Sequence, residues 1–179
     1  MFDKLPISSK TEKILTKSLD EPISAEDANY LINIKGSDLY PLLATADYLR
    51  QEIAGNNVTF INNCNINFTN ICTVRCGFCA FGKDADDPEA YILDDEAILK
   101  KAQGAVDKGA HEFCVMGGVL PDADVEYYEH LLQLLKGEFP NIMIHGFSPT
   151  MIKDASVVSG ISVEDAFERL KSAGLDTLP

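Results

Sequence analysis

Residues 94–118 read Asp94-Asp95-Glu96-Ala97-Ile98-Leu99-Lys100-Lys101-Ala102-Gln103-Gly104-Ala105-Val106-Asp107-Lys108-Gly109-Ala110-His111-Glu112-Phe113-Cys114-Val115-Met116-Gly117-Gly118. The first half has helical periodicity, with Ile98, Ala102, Ala105 and Val106 turned inward. Asp94 and Asp95 suit its start and Gly109 its stop. The second half, Phe113-Cys114-Val115-Met116, is a short apolar run closed by a glycine pair, which predicts a buried strand. The same rhythm recurs on both sides. Val58-Thr59-Phe60-Ile61, continuing toward Ile66, predicts an earlier strand. Residues 124–136 predict a helix with Val125, Tyr128, Leu131, Leu132 and Leu135 on one face. Ile142-Met143-Ile144 predicts a strand ending near His145-Gly146. Ser162 caps a helix over 163–173 that carries Ala166, Phe167 and Leu170 inward, and Gly174 stops it. Leu175-Asp176-Thr177-Leu178 predicts a fourth strand.

Strands alternating with helices at this spacing form βαβ units and a parallel sheet. The expected fold is α/β, a partial TIM-type β/α barrel over residues 58–179. A complete eight-fold barrel needs about 200 residues or more, whereas this chain has 179 in all. Four strands alone would leave an open parallel edge, so a longer chain or a partner is expected to complete the barrel. Residues 1–57 form a separate N-terminal helical segment. Ile14, Leu15 and Leu19 make one short stripe. Ser24 caps a helix over 25–34, Gly36 ends it, and a third helix covers 38–54.

Composition excludes several functions. The net charge is −13, and no dense basic run is present, so nucleic acid and anionic membrane surfaces are poor partners. No apolar stretch reaches the ~20 residues of a membrane span. The start, Met1-Phe2-Asp3-Lys4-Leu5-Pro6, lacks a secretory h-region. Five cysteines, an odd number and mostly clustered, suit a reducing cytoplasm better than a disulfide framework.

The cluster reads Asn70-Ile71-Cys72-Thr73-Val74-Arg75-Cys76-Gly77-Phe78-Cys79-Ala80-Phe81. Its spacing, C-x3-C-x2-C, lets one loop place three sulfurs around a single centre. Thiolates are the usual ligands of iron–sulfur clusters. Three cysteines on a four-iron cubane leave one iron open to a small molecule, with Phe78 and Phe81 available as shields. Two other readings of the residues remain. Cys64 as a fourth ligand would give a zinc or ferredoxin-like site, a non-catalytic metal-binding module. Buried inert thiols are the blandest option. Cys114 reads as a small core residue. Gly117-Gly118 alone reads as a strand-to-helix turn, and His145 as a satisfied structural histidine.

C-x3-C-x2-C after a first strand, with an aromatic before the last cysteine, resembles the radical S-adenosylmethionine superfamily. The resemblance implies that Cys72, Cys76 and Cys79 hold a 4Fe-4S cluster, whose open iron chelates S-adenosyl-L-methionine. An external electron donor then triggers release of a 5′-deoxyadenosyl radical. The segments Asn65-Ile66-Asn67-Phe68-Thr69-Asn70, Gly117-Gly118-Val119-Leu120-Pro121-Asp122, His145-Gly146-Phe147-Ser148-Pro149 and Gly174-Leu175-Asp176-Thr177-Leu178-Pro179 resemble one subgroup. It contains the 4-hydroxyphenyl transferase component of FO synthase, aminofutalosine synthase and the cyclic dehypoxanthinyl futalosine synthase.

The resemblance is strongest to the first. It implies transfer of a tyrosine-derived 4-hydroxybenzyl group to 5-amino-6-(D-ribitylamino)uracil in deazaflavin coenzyme biosynthesis, alongside a second FO synthase subunit. The menaquinone-pathway siblings are the alternative. By the same resemblance Phe78 packs beside the cluster and adenine, and Gly117 and Gly118 approach the methionine amino group. His145 and Ser148, at the end of the third strand, face the substrate. Leu120 departs from the pattern, because many relatives carry histidine there. The resemblance covers about the N-terminal half of the family's domain, and on that ground the chain alone is expected not to turn over.

Overall fold

The computed structural model describes residues 7–74 and 76–179. The reading of Met1–Pro6 and the middle of the cysteine motif at Arg75 lie outside the described residues. The chain divides into two compact units, the first ending at Thr59 and the second spanning Phe60–Pro179.

The first unit is helical. Helix α1 (Ser9–Ser18) starts at Ser8, α2 (Ala25–Ile32) at Ser24, and α3 (Leu39–Ala54) follows a 3-10 turn at Gly36–Asp38. The serine hydroxyls accept from Thr11 N and Asp27 N, which satisfies amides that a helix start otherwise leaves unpaired. Ile14, Leu15 and Leu31 form its small core. The carboxylate of Asp38 accepts from Ser8 Oγ at 2.5 Å and Thr11 Oγ1 at 2.7 Å.

The second unit is a three-stranded parallel sheet in the order β1-β2-β3, with helices after each strand. The strands are β1 (Asn63–Asn67), β2 (Glu112–Met116) and β3 (Met143–Gly146). The helices are α4 (Asp95–Val106), α5 (Val125–Glu138), α6 (Pro149–Ser159) and α7 (Val163–Ala173). Asp94, Asp124 and Ser162 each cap a helix start through the side chain. The expected partial β/α barrel is present, and no helix among the described residues is long and apolar enough to cross a membrane.

Three expectations change. Val58–Ile61 is not a strand: Val58 and Phe60 are exposed, and pairing starts only at Asn63, opposite Glu112. Asn62 fixes that start, because its amide donates to the carbonyls of Lys108 and Gly109, where α4 has just ended. The fourth strand is reduced to one parallel bridge, Thr177 to His145. Helix α6 has no counterpart among the expected elements, although Ser148-Pro149 is a helix start and Gly160, at φ +65°, a helix stop.

Alternation sorts the strand residues onto two faces. Ile66, Phe113, Val115 and Ile144 face the helices and build the core with Leu132, Leu135, Ile152 and Leu170. The opposite face carries Asn63, Asn65 and Asn67 from β1, Glu112, Cys114 and Met116 from β2, and Met143 and His145 from β3. Cys114 therefore stands half-buried on the far face rather than in the helix-packed core.

The chain's last residues are tied to β3 by backbone hydrogen bonds between Ile144, Gly146, Asp176 and Thr177 and by a polar knot. Asp176 Oδ2 accepts from Ile144 N at 2.7 Å and from Lys136 Nζ at 2.7 Å, while Lys136 also donates to Ile142 O. Burial pushes the Asp176 carboxyl up, but the Ile144 amide and Lys136 outweigh it, and the group sits below the usual carboxylate range. Its folded pKa is lowered, so its contribution is present above the unfolded value of about 4 and is lost as pH falls through the folded one. Asp176→Asn should lower stability at neutral pH and flatten the loss of stability between about pH 5 and pH 2, read by thermal melts across that range.

Candidate active site

All three strands run the same way, so the segments after Asn67, Met116 and Gly146 emerge at one end of the sheet. That end collects the cysteine loop, the glycine pair and the segment His145-Gly146-Phe147-Ser148. Chemistry in β/α barrels is built at this end.

The base of the cysteine loop is held rigidly. Thr69 and Asn70 are buried. Thr69 Oγ1 donates to Tyr91 O at 2.7 Å and accepts from Ile71 N. Asn70 uses both ends of its amide: Nδ2 donates to Glu89 O and Oδ1 accepts from Tyr91 N, each at 2.8 Å. Its own carbonyl accepts from Lys83 N, and Lys83 O accepts from Cys72 N. Residues 69–72 and 83–92 thus close a ring from which the rest of the loop projects. Lys83 adds ion pairs to Glu89 at 2.5 Å and Asp87 at 3.6 Å. The Glu89 hydrogen bond is the main cause of its raised pKa.

The glycine pair explains where this base sits. A Cβ on Gly118 would lie 2.0 Å from Ile71 O and 2.9 Å from Cys72 Cβ. A Cβ on Gly117 would lie 2.9 Å from the Phe68 ring and 3.1 Å from Thr69 O. Gly118 N donates to Thr69 O, and Thr73 N donates to Val119 O. Glycine is required here because two backbones touch. The pair therefore seats the segment that carries Cys72.

Beneath it lies an aromatic cluster. Phe68, Tyr128 and Phe147 are fully buried, with Tyr128 and Phe147 centroids 4.7 Å apart and Phe68 within 6.3 Å of both. Burial pushes the Tyr128 phenol far above its ordinary pKa, so it stays neutral. Phe147 has φ +60°, a left-handed conformation that bulky residues rarely adopt. Its stacking and the bond from its amide to Val115 O hold it there, and such strain clusters at functional ends of folds.

The expected site residues are placed as follows. Cys72 is half-buried, whereas Cys76 and Cys79 are exposed on the projecting tip, with Cys79 N donating to Cys76 O. Phe78 is fully exposed and Phe81 packs edge-on against Tyr91. Among the described residues no three His, Cys, Asp or Glu side chains are gathered closely enough to hold a metal ion. The donor set nevertheless fits an iron–sulfur cluster by its chemistry, since three thiols share one loop and such sites are commonly assembled by the metal itself.

Cys64 sits in β1 near its start, three residues before the strand's C-terminal end, about 10 Å along the strand at ordinary rise. It is on the side of the strand that faces Phe113 and the helices. His145 Nδ1 lies 2.7 Å from Thr177 Oγ1. Ser148 caps α6, accepting from Met151 N at 3.3 Å, while its amide donates to Met151 Sδ. In the sequence Thr69 and Asn70 stand only within a family-like segment, and their role of fixing the loop's base was missed; its signal is a Thr-Asn pair just before the first cysteine.

These features define a class: a parallel β/α half-barrel with a three-cysteine loop at the chemical end of its sheet. Residues 66–179 match the family profile of the Radical SAM superfamily, and the chain belongs to that family. Among curated proteins it is 46% identical, over 97% of its length, to the 5-amino-6-(D-ribitylamino)uracil–L-tyrosine 4-hydroxyphenyl transferase of Methanothermobacter thermautotrophicus, covering 47% of that protein. It is 40% identical to the protein of the same name from Nostoc sp., over 90% of this chain and 43% of that one. The chain thus spans less than half the length of these relatives.

Two solved structures share the fold. One is the FeFe-hydrogenase maturase HydG from Carboxydothermus hydrogenoformans, with a TM-score of 0.64 at 16% identity, covering 94% of this chain and 47% of that one. The other is methylornithine synthase, with a TM-score of 0.59 at 20% identity, covering 94% and 57%.

The packing of Gly118 predicts a sharp contrast between glycines. Gly118→Ala should cost about 1–3 kcal/mol and lower Tm by several degrees, because the new methyl meets backbone. Gly137→Ala, in α5 with nothing within 4 Å, should instead be neutral or stabilise by about 0.5–1 kcal/mol. Thermal melts of the two variants check this.

Proposed function

We propose that this chain provides the cluster-binding half of a radical S-adenosylmethionine transferase of deazaflavin (FO) coenzyme biosynthesis. Its substrates are L-tyrosine and 5-amino-6-(D-ribitylamino)uracil, the two compounds in its relatives' names. The observation that carries the reading is 46% identity across nearly the whole chain to a protein so named, with the cysteine loop intact. Five free thiols fit residence in a reducing cytoplasm. An external one-electron donor is required, and a second FO synthase subunit is a fitting partner.

Cys72, Cys76 and Cys79 hold the 4Fe-4S cluster. When bound, the cluster and S-adenosyl-L-methionine together supply the carbon-centred radical that abstracts hydrogen from substrate. The chain's own residues position and shield. Cys72 is the preset ligand, because its backbone is fixed to Lys83 and seated on Gly118. Cys76 and Cys79, on the exposed tip, would supply the other two thiolates, and Phe78 between them would shield the cluster from water. The backbone of Gly117 and Gly118 approaches the amino acid part of S-adenosyl-L-methionine. His145 faces the substrate, and Ser148 fixes the start of α6 beside it.

Anaerobic cluster reconstitution followed by EPR tests the reading. The reduced chain should give a 4Fe-4S signal that shifts on adding S-adenosyl-L-methionine. Cys64→Ala should keep both the iron content and the shift, and Cys72→Ala should lose both. A signal indifferent to S-adenosyl-L-methionine, or loss of iron in Cys64→Ala, overturns it.

A further inference from the structure

The register of the sheet places Asn65, Cys114 and His145 in one row across β1, β2 and β3, and Thr177 extends the row beyond β3. The row lies on the face turned away from the helices. In β/α barrels that face is ordinarily filled by branched apolar side chains. Here it offers a carboxamide, a thiol, an imidazole and a hydroxyl.

Three further observations give the row a use. Its depth is right: Asn65 is two residues below the end of β1, about 7 Å beneath the level from which the cysteine loop leaves. One of its members is oriented: the Nδ1 contact to Thr177 Oγ1 at 2.7 Å fixes the His145 ring and directs Nε2 away from Thr177. Its charge is selective: no Lys or Arg stands on this face among the described residues, and the thiol of Cys114 is kept neutral by burial and then by the charge of Glu112. Glu112, one layer deeper, is buried beside Asn63.

A face with hydrogen-bonding groups and no cation is suited to a neutral ligand rich in hydroxyls and amides. It is poorly suited to a carboxylate, which charged donors hold far better. With strands about 4.8 Å apart, Asn65 and His145 stand roughly 10 Å from one another across Cys114. That span leaves room between them for a polyhydroxy chain or a pyrimidine ring.

We propose that Asn65 and His145, in one cross-strand row over Cys114, bind the neutral, hydroxyl- and amide-bearing substrate, with Thr177 orienting His145. This rests on the function proposed above and assigns the row to the ribitylaminouracil rather than to tyrosine. The amino acid's carboxylate and ammonium groups must be met elsewhere.

Cys114 is a built-in reporter, since a ligand on the row covers its thiol. The cluster-loaded full chain is treated anaerobically with iodoacetamide at mildly alkaline pH, where part of the Cys114 thiol ionises, and Cys114 labelling is followed by peptide mass spectrometry. Adding 5-amino-6-(D-ribitylamino)uracil should slow labelling, and L-tyrosine should not. Asn65→Ala and His145→Ala should each raise the concentration needed for half-protection by roughly three- to tenfold, the worth of one hydrogen bond. His145→Gln, which keeps a side-chain donor, should recover most of the protection, and circular dichroism confirms that each variant is folded. Absence of protection, equal protection by L-tyrosine, or protection unchanged in both alanine variants overturns the proposal. EPR on the same samples separates the two readings. A retained S-adenosyl-L-methionine shift without protection sinks the row alone, and a lost shift sinks the radical reading and the row with it.

Discussion

The structure of the second unit turns on one close approach of two backbones. Residues 68–73, leaving β1, lie directly on Gly117 and Gly118, leaving β2, with a distance that admits no side chain at Gly118. This contact converts a flexible loop into a seated one. It brings the first cysteine to the end of the sheet, with the Phe68 ring packed in the aromatic cluster below. The cluster then holds Phe147 in its left-handed conformation, and Phe147 sets the path from His145 to the cap of α6. A single pair of missing methyl groups therefore organises the ends of all three strands.

The two faces of the sheet divide the work. The helix-facing side supplies the stability, with phenylalanine, isoleucine and valine packed against α4 to α7. Each such buried side chain contributes about 1.5–3 kcal/mol relative to exposure. The opposite side contributes little of this kind, because its residues are polar or only partly covered. A sheet that stabilises itself with one face is free to use the other for recognition. Alternation of side chains makes this division possible within strands of four or five residues.

Much of this was legible because local signals decide it. Ser24, Asp94, Asp124 and Ser162 cap helices through their own side chains, so a helix start needs no tertiary help to be recognised. The glycine pair and the cysteine spacing were equally plain. What failed depends on partners distant in sequence. Val58–Ile61 has the propensity of a strand, yet pairing begins in an asparagine-rich stretch, because Asn62 anchors to the end of α4 and Glu112 sets the register. Propensity is weak against such pairing. Cys114 reads as core from its apolar neighbours, and only the register shows which face it occupies. Ser148, read as a candidate for chemistry, also caps a helix that its Pro149 neighbour announces. Thr69 and Asn70 stood within a family-like segment, but their role did not show, since it is to bond residues about twenty positions later.

The loop's rigidity is graded, and the grading suits the proposed chemistry. At its base, buried hydrogen bonds from Thr69 and Asn70 fix Cys72 within the fold. At its tip, Cys76 and Cys79 are exposed and share one backbone hydrogen bond. A fully rigid loop would have to enclose a cluster already formed, and a fully loose one would spend much of the binding free energy on ordering. In the proposed reading, the seated Cys72 thiol and the exposed Cys76 and Cys79 thiols would together hold the cluster, and metal binding commonly completes such sites. The seat on Gly118 is what ties the exposed tip to the end of the sheet.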